Sequence, residues 1–353
     1  YDMMKKWVEY QSSTDRRNYG VRTVDGKEVP EQSDLATIPY IQVQQCRGDH
    51  LTYDNSTPYI YSATAYAAHS ADILRRTAYI FGKTDDEKRY TELFENIKRA
   101  FNDAWVNDDG SVSYYGEVSS QTAHCGESVA LDGSVTRYTY YAENTPHCPS
   151  QTAYALAVDF DLIPKDKLKN TRKYFKNSIL RNNGKLTVGF LGISHLAPAL
   201  SKVGLDDVAF KLLEQEDNPS WLYSVKNGAT TIWERWNSYI AETGTFGDVS
   251  MNSFNHYSYG AIGQWFFTDI LGIRPVEFGY KSFMLAPKFG GGLTYAKGSF
   301  TSPYGKISSA WKLHDGKFTY DCTVPTNTTA TLKLPNGDIH TLVGGSYHFE
   351  INV

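Results

Sequence analysis

The feature that most constrains the fold is a change in hydrophobic periodicity close to Pro275. Before this point, apolar residues recur at three- and four-residue spacing, which is typical of amphipathic helices. Beyond it, apolar and polar residues alternate, which is typical of strands that bury one face. The sequence therefore predicts a mainly α-helical domain over residues 1–273, followed by a small all-β domain over residues 274–353.

The helical domain is predicted as paired helices joined by loops. Helical patterns open the chain and recur from Tyr59 onward, with further predicted helices at 85–105, 150–159, 164–180, 193–203 and 206–215. Paired helices whose loops carry polar and aromatic residues are typical of an (α/α)6 toroid, in which the loops at one end converge on a cleft. About eight helices are predicted, fewer than the six pairs of a complete toroid. We therefore expect the N-terminal helices of the barrel to lie upstream of Tyr1.

The all-β domain is predicted from two hairpins. The stretches flanking Asp315-Gly316 alternate apolar and polar residues, and so do those flanking Asn336-Gly337. These dipeptides favour two-residue turns whose twist matches that of the strands. With further strands near Phe283 and Tyr295, the pattern predicts a small β-sandwich.

Composition excludes some classes of partner. The 353 residues are 41% hydrophobic, which is enough for a sizeable core, and the formal net charge is −4. No dense run of Lys and Arg is present, so a nucleic-acid partner, whose phosphates need a basic face, is not expected. No stretch has the length and apolar character of a membrane span.

The most distinctive polar position is Glu234, which lies between Trp233 and Trp236 and next to Arg235. Indole faces pack on the C–H surface of a pyranose, and a carboxylate that they partly desolvate can accept a proton from water. A glycosidase base needs such surroundings, although on residue types alone a structural role is the more common one for such a carboxylate. The alternative is that Glu234 is a structural ion-pair partner of Arg235 inside an aromatic cluster.

A family resemblance supports the glycosidase interpretation. It rests on GATTIWERW at 228–236 and MNSFNHYSYG at 251–260, and it continues in the motifs at 150–156, 189–192, 219–223 and 290–293. In this order the motifs resemble the family 78 glycoside hydrolases, the α-L-rhamnosidases. The resemblance covers most of the chain from about Ser62 onward.

This resemblance implies an inverting enzyme that acts on rhamnose-containing oligosaccharides, polysaccharides or glycosides. It assigns Glu234 as the general base that activates water. His256, 22 residues later, matches a family histidine that contacts the substrate. Trp221, Trp233 and Trp236 are candidate cleft aromatics, and at least one of them is expected to contact the sugar.

Two family features are altered or missing. Where members commonly carry Gly-Asp-Trp, this chain has Gly48, Asp49 and His50. Asp49 is therefore either an acceptor for sugar hydroxyls or a turn residue. The family's general acid is a Glu in an Arg-Asp-Glu-Arg block, and no such block occurs in these residues. We expect it upstream of Tyr1, which makes the preceding part of the same polypeptide the expected partner.

The cysteines leave two possibilities open. Cys125 and Cys148 lie in one segment rich in Gly, Ser, Thr and Tyr, where they form either a disulfide or free thiols. His124 and His147 precede them, but neither pair has the C-x-x-C spacing of a zinc site. No metal and no cofactor is predicted.

Other functions remain open at this point. The missing acid and His50 are compatible with a vestigial or purely carbohydrate-binding protein. Another (α/α)6 carbohydrate-active enzyme, such as a glucuronyl hydrolase or polysaccharide lyase, is a further alternative. A serine hydrolase is not favoured, because Ser194-His195 lacks the flanking glycines of a nucleophile elbow. For a bacterial-type enzyme of this kind we expect a periplasmic or extracellular location.

Overall fold

The structure is a computed structural model of the 353-residue chain. It describes residues 1–12, 39–42, 48–54, 57–113 and 149–353. It also gives the backbone of two short hairpins, formed by β1 (Val21–Val24) with β2 (Lys27–Pro30) and by β3 (Gly126–Val129) with β4 (Val135–Tyr138). Cys46, Cys125, Cys148, His124 and His147 lie outside the described residues, and so does the disulfide considered above.

The chain forms two compact units. The first unit comprises Tyr1–Leu205, Asn218–Ser220 and Arg235–Ser253. The second unit comprises Asp206–Asp217, Trp221–Glu234 and Phe254–Val353. The chain therefore enters the second unit more than once, and the predicted domain boundary after residue 273 stays a prediction.

The first unit is helical, as predicted. Its helices are α1 (Asp2–Ser12), α2 (Tyr59–Ile80), α3 (Thr84–Trp105), α4 (Gln151–Asp159), α5 (Leu168–Leu180) and α6 (Phe190–Lys202), and it also holds a two-stranded hairpin of β5 (Tyr239–Ile240) and β6 (Thr245–Phe246). The helix α4 is buried along nearly its whole length, because the motif SQTAYALAV offers mainly small and apolar side chains. The Ser150 hydroxyl caps this helix by accepting a hydrogen bond from the Ala153 N–H, at 3.0 Å.

Helices α2 and α3 pack through an aromatic cluster. The Tyr61 ring lies 4.8 Å from that of Phe101 and 5.1 Å from that of Trp105, between ring centroids. All three side chains are buried. Three acidic residues in the first turn of α3 lie at the end where the helix dipole favours negative charge. The buried residues of α3 recur at three- and four-residue spacing, so the helix buries one face.

The second unit begins with short helices. These are α7 (Asp206–Leu213), α8 (Trp221–Lys226) and α9 (Ile262–Trp265), the last continued by a π-helical turn over Phe266–Ile270. The buried carboxylate of Asp269 contacts the guanidinium of Arg274 and lies 3.2 Å from the ammonium of Lys288. These cations supply the pairing that a buried charge requires.

Two four-stranded sheets complete the second unit. One has the order β14 (Gly345–Asn352), β11 (Lys317–Val324), β10 (Gly305–His314) and β9 (Tyr295–Ser302); the other has the order β13 (Ile339–Leu342), β12 (Thr329–Lys333), β8 (Ser282–Leu285) and β7 (Ile273–Pro275). Both predicted hairpins are confirmed: Trp311 pairs with Tyr320 around Asp315-Gly316, and β12 pairs with β13 around Asn336-Gly337. Asp315 and Gly316 have φ angles of 49° and 75°, as a two-residue turn of this hand requires.

The two sheets meet through alternate residues. Ile307, Trp311, Phe318 and Tyr320 are buried on one sheet. The other sheet buries Phe283, Leu285, Ala330 and Leu332. The His340 and Phe349 rings, one from each sheet, lie 4.9 Å apart. Within the described part of the chain, none of the helices combines the length and apolar character needed to cross a membrane.

Candidate active site

Glu234 lies in an irregular segment between α8 and β5, and its side chain is half-buried. Two residues earlier, the Ile232 carbonyl accepts a hydrogen bond from the His256 N–H at 2.8 Å. The Thr231 hydroxyl donates to the Phe254 carbonyl. These bonds hold the segment that carries Glu234 beside the segment that carries His256, so the structure brings both predicted residues into one part of the second unit.

The His256 ring is oriented by its own chain. The Ser258 N–H donates to the His256 Nδ1, at 3.3 Å, so Nδ1 is the accepting nitrogen. In a neutral ring Nε2 then carries the proton and can donate to a hydroxyl oxygen. The other neighbour is Tyr257, whose ring is nearly parallel to the imidazole, with centroids 5.1 Å apart and an angle of 16°.

The three predicted tryptophans occupy different environments. Trp233 is 6% exposed and meets Phe254 edge to face, and Trp236 is 2% exposed. The Trp236 Nε1–H donates to the Val188 carbonyl at 3.0 Å. Both indoles are therefore buried, and the expectation that at least one of the three tryptophans contacts sugar stays a prediction. Trp221 is half-buried, so part of its ring remains accessible. Its Nε1–H donates to the Tyr259 carbonyl at 2.9 Å.

Arg235 organises the segment that follows Glu234. Its guanidinium donates to the Asp248 carboxylate at 2.9 Å and to the Met251 carbonyl at 2.7 Å. Hydrogen bonds from Ser250 lower the pKa of Asp248 below its usual value, and the charge of Arg235 adds to this effect. The Arg235 side chain therefore ties together the two ends of the segment between the two family motifs.

Asp49 has a structural environment. It is 7% exposed, and one carboxylate oxygen accepts hydrogen bonds from the Leu191 N–H at 2.8 Å and the Gly192 N–H at 3.0 Å. The other oxygen accepts from the Gly189 N–H at 2.8 Å and from the Thr152 hydroxyl. Burial raises the pKa of the Asp49 carboxyl, while these four donors act in the opposite direction.

The four donors account for the acceptor positions of a carboxylate. Three of them are the otherwise unpaired N–H groups at the start of α6, so Asp49 anchors the N-terminus of that helix. A Cβ on Gly192 would collide with the Thr152 hydroxyl, which explains glycine at this position. Of the two roles considered for Asp49, sugar acceptor and turn residue, these contacts favour a purely structural one.

A polar cluster that the sequence analysis did not anticipate lies between α2, α4 and α6. The His195 Nδ1 is 2.6 Å from the Asp159 carboxylate, and its Nε2 is 3.3 Å from the Tyr66 hydroxyl. His69 stacks on Phe160 with centroids 4.0 Å apart. Burial lowers the pKa of His69, with a further contribution from nearby His195. The spacing of these residues along three separate helices left no local sequence signal.

Within the described ranges, no three His, Cys, Asp or Glu side chains are grouped as a metal site would require. Cys322 is a buried free thiol on β11, and burial raises its pKa to about 12. This thiol is therefore protonated at neutral pH.

Comparison with known proteins identifies the family. Residues 1–270 match the bacterial alpha-L-rhamnosidase 6 hairpin glycosidase domain, and residues 272–349 match the bacterial alpha-L-rhamnosidase C-terminal domain. An alpha-L-rhamnosidase of Formosa agariphila is 33% identical over 97% of this chain and 32% of its own length. One from Streptomyces avermitilis is 37% identical over 82% of this chain and 24% of its own length.

A solved structure gives the same result. The crystal structure of the Streptomyces avermitilis alpha-L-rhamnosidase complexed with L-rhamnose is 30% identical, with a TM-score of 0.78, over 99% of this chain and 30% of that one. The chain thus spans about a third or less of the length of these relatives. The two family models and the fold confirm the resemblance drawn from the motifs, and the chain belongs to the bacterial α-L-rhamnosidase family of six-hairpin glycosidases.

Proposed function

We propose that this chain is the catalytic part of an α-L-rhamnosidase that removes terminal α-L-rhamnosyl residues with inversion. The observation that carries the proposal is the similarity to an α-L-rhamnosidase across 97% of the chain, with both family motifs intact around Glu234 and His256. A related enzyme was crystallised with L-rhamnose, which supports the same sugar as the ligand here. The substrates are rhamnose-containing oligosaccharides, polysaccharides or glycosides.

In this proposal Glu234 is the general base. Its half-buried carboxylate retains access to a water molecule, from which it takes a proton as the water attacks the anomeric carbon. The His256 Nε2–H donates to a hydroxyl of the rhamnose ring. Inversion also needs a second carboxyl group that protonates the leaving oxygen, at roughly 6.5–9.5 Å from the first. We assign this acid to a Glu in the part of the polypeptide preceding Tyr1, and a periplasmic or extracellular location stays a prediction.

The test uses a protein that contains this 353-residue chain together with the flanking sequence that its source encodes. Release of L-rhamnose from 4-nitrophenyl α-L-rhamnoside is measured, and the anomer formed first is identified by proton NMR. We expect the β anomer, as inversion requires. The Glu234→Gln variant should lower kcat by about 100- to 10,000-fold, because a positioned general base typically contributes that much.

Glu242→Gln provides the matched control. Glu242 lies in the turn between β5 and β6 and is exposed, so its substitution should leave kcat within about twofold of the starting protein. Near-normal turnover by Glu234→Gln would show that the base is a different residue. Binding of L-rhamnose without hydrolysis of any rhamnoside would instead favour a carbohydrate-binding protein.

A further inference from the structure

The aromatic residues around Glu234 divide sharply by exposure. The tryptophans Trp233 and Trp236 are 6% and 2% exposed, whereas Tyr257 is 85% exposed and Phe254 is 38% exposed. Removing a large aromatic ring from water is favourable, so an exposed ring beside a ligand site is available for contact with a ligand. In this region Tyr257 therefore offers more accessible aromatic surface than Trp233 or Trp236 does.

The backbone of Tyr257 is fixed although its side chain is exposed. Its carbonyl accepts a hydrogen bond from the Gly260 N–H at 2.9 Å, at the start of a 3-10 turn over Ser258–Ala261. The next two residues, Ser258 and Tyr259, are buried. One face of the Tyr257 ring stacks on His256. A ring held in this way loses little conformational entropy when a ligand packs against its other face.

We propose that Tyr257 is a stacking platform for a ring in the leaving group of the substrate. The inference rests on the proposed function, which places the rhamnose ring at Glu234 and His256. The Tyr257 ring centre lies 5.1 Å from that of His256, about one ring width away. With the rhamnose held by the His256 Nε2–H, as the proposed function has it, the uncovered face of Tyr257 is assigned to the next ring of the substrate. The substrates are then rhamnosides whose leaving group presents a flat face, either a second pyranose or an aromatic ring.

Stacking explains both kinds of leaving group. The C–H face of a pyranose and the face of an aromatic ring can both pack on a phenol ring. The contact requires the ring of Tyr257 but not its hydroxyl. A leaving group without a ring, such as methanol, gains nothing from it. These requirements separate a stacking role from hydrogen bonding and from general packing.

The experiment compares Tyr257→Ala and Tyr257→Phe in the protein with its native flanking sequence. Three substrates are used: 4-nitrophenyl α-L-rhamnoside, a rhamnosyl-glucose disaccharide and methyl α-L-rhamnoside. For Tyr257→Ala we expect kcat/KM to fall roughly 5- to 20-fold on a ring-bearing substrate, since an aromatic contact of this type is worth about one factor of ten. The relative losses on the first two substrates show whether an aromatic ring or a sugar is preferred.

The same variant should behave normally in three other measurements. For Tyr257→Ala, kcat/KM for methyl α-L-rhamnoside and the inhibition constant of L-rhamnose should stay within about twofold of the values for the unsubstituted protein. For Tyr257→Phe, every constant should stay within about twofold of those values. The melting temperature of Tyr257→Ala should be unchanged, because the ring is 85% exposed. Tyr295→Ala, which removes a 62% exposed tyrosine from β9, is the control and should alter no constant.

Other results would overturn the inference. Equal losses on all three substrates with weaker inhibition by L-rhamnose would place Tyr257 against the rhamnose ring instead. A lowered melting temperature with uniform loss would make it a packing residue, and unchanged kinetics would make it an ordinary surface residue. If the unsubstituted protein released rhamnose from none of these substrates, the proposed function would fall and this inference with it.

Discussion

Two carboxylates that the sequence singled out, Asp49 and Glu234, have opposite surroundings in the structure. Asp49 is 7% exposed and accepts hydrogen bonds from four groups of its own chain. Glu234 is half-buried in an irregular segment, beside a second segment that carries His256 and the exposed ring of Tyr257. The comparison teaches that a carboxylate in a sequence motif can be buried against the start of a helix or half-buried in an irregular segment.

The surroundings of Asp49 and Glu234 differ because the backbone around each carboxylate differs. The first turn of a helix leaves unpaired N–H groups, and a buried carboxylate is a strong acceptor for several of them at once. Glu234, by contrast, lies in an irregular segment between α8 and β5, away from the start of any helix, and its side chain is half-buried.

The largest expected effect that separates the two carboxylates comes from Asp49→Asn. We expect it to lower the free energy of unfolding by about 3–5 kcal/mol, because it removes a buried charge from donors that remain in place. Glu234→Gln should change this free energy by less than about 1 kcal/mol. Chemical denaturation measures both. Asp108→Asn, at an exposed aspartate, is the control.

The comparison would break if Asp49→Asn kept its stability and instead lost affinity for L-rhamnose. That result would make Asp49 a sugar ligand whose helix contacts are incidental. Calorimetric titration with L-rhamnose on the same samples gives the second measurement.

A smaller effect is expected from Trp236→Phe. The change leaves the Val188 carbonyl without its indole donor and opens a small cavity, so we expect a loss of about 1–3 kcal/mol in unfolding free energy. The KM for a rhamnoside should stay within about twofold, since the indole is 2% exposed. Trp7→Phe, at a 54% exposed site, is the control for stability. A raised KM with unchanged stability would return Trp236 to the sugar site.

The smallest effect concerns pH and the cluster around His69. Burial lowers its pKa below 6.5, so the unfolded chain binds a proton more readily than the folded one. The stability that this group contributes is present above pH 6.5 and is lost as the pH falls through the folded-state value. Neighbouring groups act in both directions: His195 and Arg76 lower the pKa of His69, while Asp72 and Asp159 raise it.

Thermal unfolding between pH 4.5 and 8 tests this effect. Below pH 6.5 we expect the melting temperature to fall less steeply in His69→Gln than in the starting protein. The difference in melting temperature between these two proteins should be smaller than the drop in melting temperature caused by Trp236→Phe. His314→Gln, at an exposed histidine, should leave the profile unchanged. Identical profiles for all three proteins would exclude His69 as a contributor.

Local patterns predicted the fold well because they describe local physics. The turn at Asp315-Gly316 needs two left-handed residues, and the helices bury the stripes that their spacing marks. The family motifs singled out Glu234 and His256, and the structure brings together the two segments that carry them; their roles stay predictions. Burial was harder to predict, because the motif WERW reads the same whether its tryptophans lie in a core or in a cleft. The contacts of Asp49 were also hidden, because its donors lie between 103 and 143 residues further along the chain.

The contacts that Arg235 makes with Asp248 and Met251 have a consequence for how loop length can vary in this family. The hairpin of β5 and β6 is closed at its base, where Asn252 donates to the Ser238 carbonyl at 2.8 Å and Gly247 packs against the Asn237 carbonyl with no room for a Cβ. Its tip, residues 241–244, is exposed. Insertions and deletions at such a tip are usually tolerated. The hairpin is therefore a natural grafting site, where loops of new length can be exchanged while the adjoining residues stay in place.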